Sequence, residues 1–345
     1  MTVGAAAQSE DELRVVTREP LNAETPLAAL TGILTPVGKH YVRNHFAIPA
    51  HPGTLIIDGA VDRPVTLSVA ELMTRPPVKR FVTLECAGNG RAFLDPPPPG
   101  EPWQLGAVGT AEWTGVPLAQ LLAEAVVSAD AIEVRFRGAD RGTPGGLEQE
   151  IAFERSLPPE IAGEALVAYA MDGRLLTPNH GAPLRLVVPG WYGMASVKWL
   201  TEISATSEPF RGFYQVERYV VDGQPLGPIA PRAVIVAPAD GALVARGPNT
   251  VRGFAWSGRG LAGVEVSLDG GTTWRRARLG SRLAAEAWQT WQLRWSARKP
   301  GPAMILARAI EVGGRAQPLD AVHDPLGYGN NAAQPTRVEV LQQRS

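Results

Sequence analysis

The rhythm of apolar and polar positions changes about two thirds of the way along the chain. Before that point, strand-like runs alternate with helical ones. TLIIDGAV (54–61) is short, β-branched and turns at Asp58-Gly59. Ser68 with Glu71 three residues later is a capping box and predicts a helix over SVAELM. RFVTLECAGNG (80–90) reads as a strand that enters a loop of small residues. DPPPPG (95–100) is neither helix nor inner strand, because proline lacks the N–H donor and fixes φ. PLAQLLAEAV (117–126) has helical spacing with proline in its first turn. AIEVRFRG (131–138) alternates as a half-buried strand does. EALVAYAMDGRLL (164–176) predicts strand, Asp-Gly turn, strand. LRLVVPG (184–190) and VKWLTEISAT (197–206) are strands again. This part predicts an α+β fold.

DGQPLGPIAPR (222–232) is rich in Gly and Pro and reads as a linker. After it the helical spacing disappears. AVIVAP, GVEVSLDGGTTW, WQLRW, AMILARAIEV and TRVEVLQ recur as short strands between turn signals such as Asp269-Gly270-Gly271. About seven short strands in about 115 residues predict an all-β, immunoglobulin-like sandwich. Trp256, Trp274, Trp288, Trp291 and Trp295 all fall here, as core or interface residues. Residues 1–30 read as a polar, loosely structured lead-in, 31–225 as the first domain and 226–345 as the second.

A length of 345 residues agrees with two domains. The formal net charge of −1 and the absence of a basic block argue against nucleic acid as a partner. No apolar stretch approaches the roughly 20 residues of a membrane helix, so no membrane span is expected. Glu10, Asp11 and Glu12 stand where a signal peptide would carry its apolar core. The expectation is therefore a cytoplasmic protein, or a periplasmic one only if a leader had been removed. The single cysteine, Cys86, excludes intrachain disulfides and every multi-cysteine metal site.

Three segments carry candidate chemistry. Cys86 lies in ECAGNGR, where small residues let a bulky group approach the backbone, and Arg91 could favour its thiolate. An inert buried cysteine, a metal ligand and a Cys/His nucleophile all remain open at this point. YVRNH (41–45) sets Arg43, Asn44 and His45 in succession, which suits a polyanionic ligand or a solvated loop. In 177–199, His180 and Arg185 flank Gly181 and Pro183, and Gly190, Gly193 and Ser196 lead to Lys198. Glycine-rich donor loops of this kind cradle phosphates, although the pattern is not a nucleotide P-loop.

YVRNH, LECAGNGR (84–91), W-x-x-GAVGTAEWTG (103–115) and NHGAPLRLVVPGWYGMASVKW (179–199) occur in the order and spacing of the sulfite oxidase family of molybdenum enzymes, which the chain resembles over most of 31–215. GVEVSLDGGTTW and GYGNN resemble that family's C-terminal dimerisation domain. The resemblance implies a molybdopterin-binding catalytic domain at 31–225 and a dimerisation domain at 226–345. It implies a molybdenum-molybdopterin cofactor whose metal is bound by Cys86. Tyr41, Val42, Arg43, Asn44, His45, Asp140, His180, Arg185, Ser196, Val197 and Lys198 are the implied cofactor contacts. Arg43, Arg91 and Trp103 are the implied substrate pocket, beside Cys86. Homodimerisation follows from the same resemblance.

Two departures stand out. The family's sulfite-oxidising members carry a tyrosine in a Tyr-Lys-Gly-Phe stretch, matched here by Phe210-Arg211-Gly212-Phe213. They carry an arginine where Leu326 precedes Gly327-Tyr328-Gly329-Asn330. One hydroxyl and one charge are therefore expected to be missing, with Tyr214 and Tyr219 as the candidates to replace the hydroxyl, each charged hydrogen bond being worth about 1.5–3 kcal/mol. The implied reaction is two-electron oxygen-atom transfer, with sulfite to sulfate as first candidate. Reduction of a sulfoxide or other S- or N-oxide is the alternative, and a non-catalytic binding protein of the same fold a third reading. No haem module or CxxCH is present, so electrons would pass to an external carrier such as a cytochrome c.

Overall fold

The computed structural model describes residues 13–321 and 323–342; Glu10, Asp11 and Glu12 lie outside them. The capping box forms as expected. The Ser68 side chain accepts from the Glu71 N–H, and Glu71 reaches back to the Ser68 N–H, starting the helix Val69–Met73. The helix Leu118–Ala125 buries Leu118, Leu121, Leu122 and Ala125 on one stripe.

Two sheets organise the N-terminal part, the first antiparallel throughout and the second mixed. One runs in the order Arg174–Leu175, Leu166–Met171, Val108–Pro117, Val78–Glu85, with Arg185–Val187 also on Leu166–Met171. The other runs Val65–Ser68, Thr54–Gly59, Leu200–Thr206, Glu133–Gly142, Ile151–Leu157. In it Thr54–Gly59 and Leu200–Thr206 are parallel, Ile57 facing Ile203. Two long strands of these sheets, Val108–Pro117 and Ile151–Leu157, had no prediction. Val108–Pro117 carries Gly109 and Gly115, which weaken a strand signal. Gly109 is needed because a Cβ there would lie 2.5 Å from the His40 ring.

The expected loose lead-in is instead ordered from Arg14 onward. Arg14–Arg18 pairs with Leu21–Glu24 as an antiparallel hairpin. Its Asn22 and Glu24 are buried, and Glu24 accepts from the backbone N–H groups of Gln104 and Gly106. Polar side chains here satisfy buried amides, so their polarity did not signal solvent exposure.

The C-terminal part is two facing sheets. One has the order Arg232–Ala237, Gly247–Trp256, Gln289–Ala297, Arg278–Leu279. The other has Ala242–Val244, Thr336–Val340, Gly301–Glu311, Leu261–Ser267, Arg275–Arg276. Val251, Val264, Val266, Trp291, Ile305 and Val338 are among the side chains that fill the space between. The tryptophans divide. Trp291 is core, whereas Trp256 and Trp288 join the apolar cluster of the N-terminal part. Trp288 Nε1 donates to the Ile33 carbonyl at 2.6 Å, and its backbone N–H to Thr83 Oγ1 at 2.8 Å. Two of the five therefore serve contact within one chain. No helix among the described residues is long and apolar enough to cross a membrane.

Candidate active site

The strand Val78–Glu85 delivers Cys86 to the junction of two chambers. The inner one is walled by Tyr41, Arg43, His45, Asp140, His180, Arg185, Ser196 and Lys198, with His40, Asn179 and Tyr219. The outer one opens past Arg43, Arg91, Arg218, Phe213, Tyr214, Tyr219, Leu326 and Tyr328. Arg43, His45, Cys86 and Tyr219 border both.

The inner chamber is polar without being neutralised. Arg185 donates to the carbonyls of His180 and Ser196, both at 3.2 Å, and lies 4.8 Å over the Trp113 ring. Lys198 Nζ donates to the Asn179 carbonyl at 3.0 Å and to Asn44 Oδ1. Asn44 in turn contacts Asn179. Burial lowers Arg185 to about 10 and lowers Lys198 well below its usual range. Burial also lowers His40 to about 4 and His180 to about 3, keeping both imidazoles neutral at pH 7. Asp140 rises to about 7 through burial, against the attraction of Lys198. His40 Nε2 and Asp140 Oδ1 are buried without hydrogen-bond partners.

This donor set suits a polar, anionic group that supplies acceptors to the cations and partners to the orphaned atoms. Among the described residues no three His, Cys, Asp or Glu side chains converge. A metal here would thus be held by Cys86 and by ligands it brings. A dithiolene-bound molybdenum with a pterin and a phosphate meets those demands, thiolate being a soft ligand. Tyr41, His45, Asp140, His180, Arg185, Ser196 and Lys198 would hold it.

Three implied contacts are not part of the chamber wall: Asn44, which acts through Lys198 and Asn179, and the two valines. Val42 is buried and exchanges backbone hydrogen bonds with Ala23 of the hairpin. Val197 is buried and offers its carbonyl to the Leu186 N–H. Both position their neighbours. Ser196 Oγ accepts from the Val188 N–H at 3.0 Å.

Burial pushes the Cys86 thiol up, against the pull of Arg43, the Gly88 backbone and Arg91. The expected lowering by Arg91 is therefore outweighed, and Arg43 contributes more than Arg91. A thiolate there needs a metal to hold it. Arg91 donates to the Leu326 carbonyl at 3.1 Å and the Glu101 carbonyl at 2.9 Å, and lies 5.2 Å over the Tyr328 ring. Gly88 leaves room for it, since a Cβ there would sit 2.6 Å from Arg91 Nη1.

Trp103 does not wall the substrate chamber. It is fully buried in the cluster that also contains Tyr41 and Cys86, supporting them from behind. Of the two tyrosines that could replace the hydroxyl, Tyr214 lines the outer chamber and Tyr219 lines both. Phe210 lies outside both chambers, with its N–H bonded to Glu133, while Tyr219 enters both. Tyr219 Oη is 2.6 Å from His45 Nε2, and burial keeps the phenol protonated. Leu326 lines the outer chamber, where Arg218 adds a third guanidinium beside Arg43 and Arg91. Reading by motif missed Asn22, whose Oδ1 accepts from Arg43 and from the Asn44 N–H. It also missed His40 and Arg218, which lie outside the motifs, and Tyr328, which lies in GYGNN but had no assigned role.

Residues 45–214 match the oxidoreductase molybdopterin-binding domain, and residues 229–340 match the Mo-co oxidoreductase dimerisation domain. Sulfite oxidase of Gallus gallus is 35% identical over 337 residues, covering 89% of this chain and 73% of that protein. A nitrate reductase [NADH] of Arabidopsis thaliana is 34% identical over 300 residues, covering 76% of this chain and 33% of its own. The crystal structure of the sulfane dehydrogenase SoxCD from Paracoccus pantotrophus superposes with a TM-score of 0.82 at 27% identity, covering 97% of this chain and 92% of that one. With both domain matches in register and Cys86 between an anion-binding chamber and an open one, the chain belongs to the sulfite oxidase family of molybdopterin-dependent oxidoreductases.

Proposed function

We propose that the protein oxidises sulfite to sulfate as a homodimer and passes the electrons to an external carrier such as a cytochrome c. The observation that carries this reading is the position of Cys86, with Arg43, Arg91 and Tyr219 on the outer side. When bound, the cofactor supplies two-electron oxygen-atom exchange at its metal. The chain's own groups do the rest. Arg43 and Arg91 attract and orient an oxyanion in a partly dry site, where charge is stabilised far better than in water. Arg43 is held to that task by Asn22. Tyr219, kept protonated, offers a hydroxyl beside them. His45, whose pKa burial lowers well below the usual value, adds no competing charge. The C-terminal match supports the dimer.

A second reading is reduction of a sulfoxide or other S- or N-oxide. Leu326, Phe213, Tyr214 and Tyr328 favour it, because they give the outer chamber an apolar wall that sulfite does not need. Turnover of the purified protein is measured with sulfite and an artificial acceptor, and with methionine sulfoxide and a reduced dye. Sulfite-dependent turnover is the expected result. Turnover only in the second assay overturns it.

A further inference from the structure

We propose that a buried ion pair between the two parts of the chain, Glu85 with Arg232, is the device that fixes the Cys86 loop for its metal. This rests on the assignment of Cys86 as the metal ligand.

Glu85 is the last residue of its strand, directly before Cys86, and is fully buried. Arg232 opens the first strand of the C-terminal sandwich and is 2% exposed. Arg232 Nε lies 2.7 Å from Glu85 Oε1. Asn89 Nδ2 donates to the same oxygen at 2.9 Å, and Trp256 Nε1 donates to Oε2 at 2.7 Å. The guanidinium is shared further. Its Nη2 donates to the Asn89 carbonyl at 3.1 Å and to the Asn330 carbonyl. Asn330 Nδ2 donates to the Gly90 carbonyl at 2.8 Å, and the Gly329 N–H to the Ala87 carbonyl at 2.8 Å. The carbonyls of Ala87, Asn89 and Gly90 are thus all held by groups from the sandwich, while Glu85 anchors the loop's start.

A buried pair adds little net stability over an apolar isostere, yet removing one partner strands a buried charge. Its value here is geometric. Groups around a metal ligand that fix its orientation govern how well the metal is held. A guanidinium delivers several donors in one rigid plane, which a lysine cannot. Glu85 and Arg232 are positioning residues, since neither lines the chambers.

The test uses the full-length protein and three variants: Arg232→Lys, which keeps the charge without the fork, Arg232→Met, and the neutral double variant Glu85→Gln with Arg232→Met. Two quantities are read. One is amide hydrogen exchange over residues 86–91, compared with 133–142 in the second sheet. The other is the rate at which the holo-protein releases molybdenum. Exchange over 86–91 is expected to speed up at least tenfold in Arg232→Lys and in the double variant, with 133–142 unchanged, and molybdenum release to accelerate in the same order. Arg232→Met should show the largest change. If it does not fold, the other two decide the matter. Unchanged protection over 86–91, or an equal change in both segments, overturns the proposal and leaves the pair as a general tie between domains. Wild-type protein free of molybdenum overturns instead the assignment of Cys86, while exchange over 86–91 still reports on the loop.

Discussion

The two chambers that meet at Cys86 solve opposite problems. The inner one presents Arg185, Lys198 and Arg43 to one another with carbonyl and amide partners only, and leaves His40 Nε2 and Asp140 Oδ1 unpaired. Such a wall is unfavourable by itself and becomes favourable around one fixed polyanion. The outer one spreads Arg43, Arg91 and Arg218 among Phe46, Phe213, Tyr214, Leu326 and Tyr328. Its groups are satisfied already. Arg91 rests on two carbonyls and an aromatic face, and Arg218 lies 4.8 Å over Phe213. The difference separates a site that demands its occupant from one that selects among visitors. Cofactor retention should follow the inner residues, and substrate preference the outer ones.

The largest effect is expected at Cys86, one of the four residues that border both. Cys86→Ser replaces a soft ligand by a hydroxyl, and molybdenum content and turnover should both fall by more than about 100-fold, beyond what loss of a ligand's supporting group causes. Metal analysis beside a turnover assay checks this; a variant that keeps full molybdenum content excludes Cys86 as the ligand. Next comes a crossed pair of variants. Lys198→Met should weaken cofactor retention about 10- to 100-fold, the worth of one charged hydrogen bond, while the loaded fraction keeps its sulfite KM. Leu326→Arg should do the reverse, lowering the sulfite KM by up to a similar factor with molybdenum content unchanged. If Leu326→Arg leaves the sulfite KM where it was, the outer chamber does not select by charge.

Acid sharpens the comparison in the cofactor-free chain. His180 and His40 titrate at about 3 and about 4 when folded, against about 6.5 unfolded. Their stabilising contribution is present above pH 6.5 and is lost as pH falls from there towards 4. Asp140, raised to about 7, works the other way, and its contribution grows as pH falls from 7 towards 3.8. Between pH 7 and pH 5 each group shifts the folding free energy by about 2 kcal/mol. His180→Asn should therefore reduce the acid loss of stability, and Asp140→Asn should deepen it. Urea unfolding at the two pH values reads both, and slopes of the same sign would show that these groups do not titrate as a buried set.

The inner chamber was the more legible of the two. Its residues come from contiguous motifs, since a cofactor gripped by a strand end and two tight loops needs short runs of donors. The outer chamber draws on 43–46, 88–101, 143–145, 213–219 and 326–328, which the fold brings together without a shared motif. The same limit hid Arg232 from Glu85, 147 residues away along the chain yet in contact. Alternating strands such as Glu133–Gly142 were readable because one face is buried. Val108–Pro117 was not, because contacts with His40 and Val167 demand glycine where a strand would carry a side chain. The polar hairpin Arg14–Glu24 was read as part of a loosely structured lead-in, although Asn22 and Glu24 satisfy buried groups. Trp103 was assigned to the pocket by its motif, but packing placed it one layer behind.

The smallest expected effect tests the one hydroxyl the motif comparison misplaced. Phe210 and Tyr219 are nine residues apart, and only Tyr219 borders the chambers. Phe210→Tyr restores the familiar motif at a position whose neighbour is Glu133, so the sulfite kcat/KM should stay within about twofold. Tyr219→Phe removes the Oη that lies 2.6 Å from His45 Nε2. A neutral hydrogen bond is worth about 0.5–1.5 kcal/mol, which corresponds to a loss of roughly 2- to 13-fold in kcat/KM. If the hydroxyl also serves the bound anion, the loss should fall mainly on KM at low ionic strength and leave molybdenum content unchanged. An equal loss in both variants would mean that the aromatic wall matters for its shape, and that the outer chamber distinguishes substrates by volume and not by hydrogen bonding.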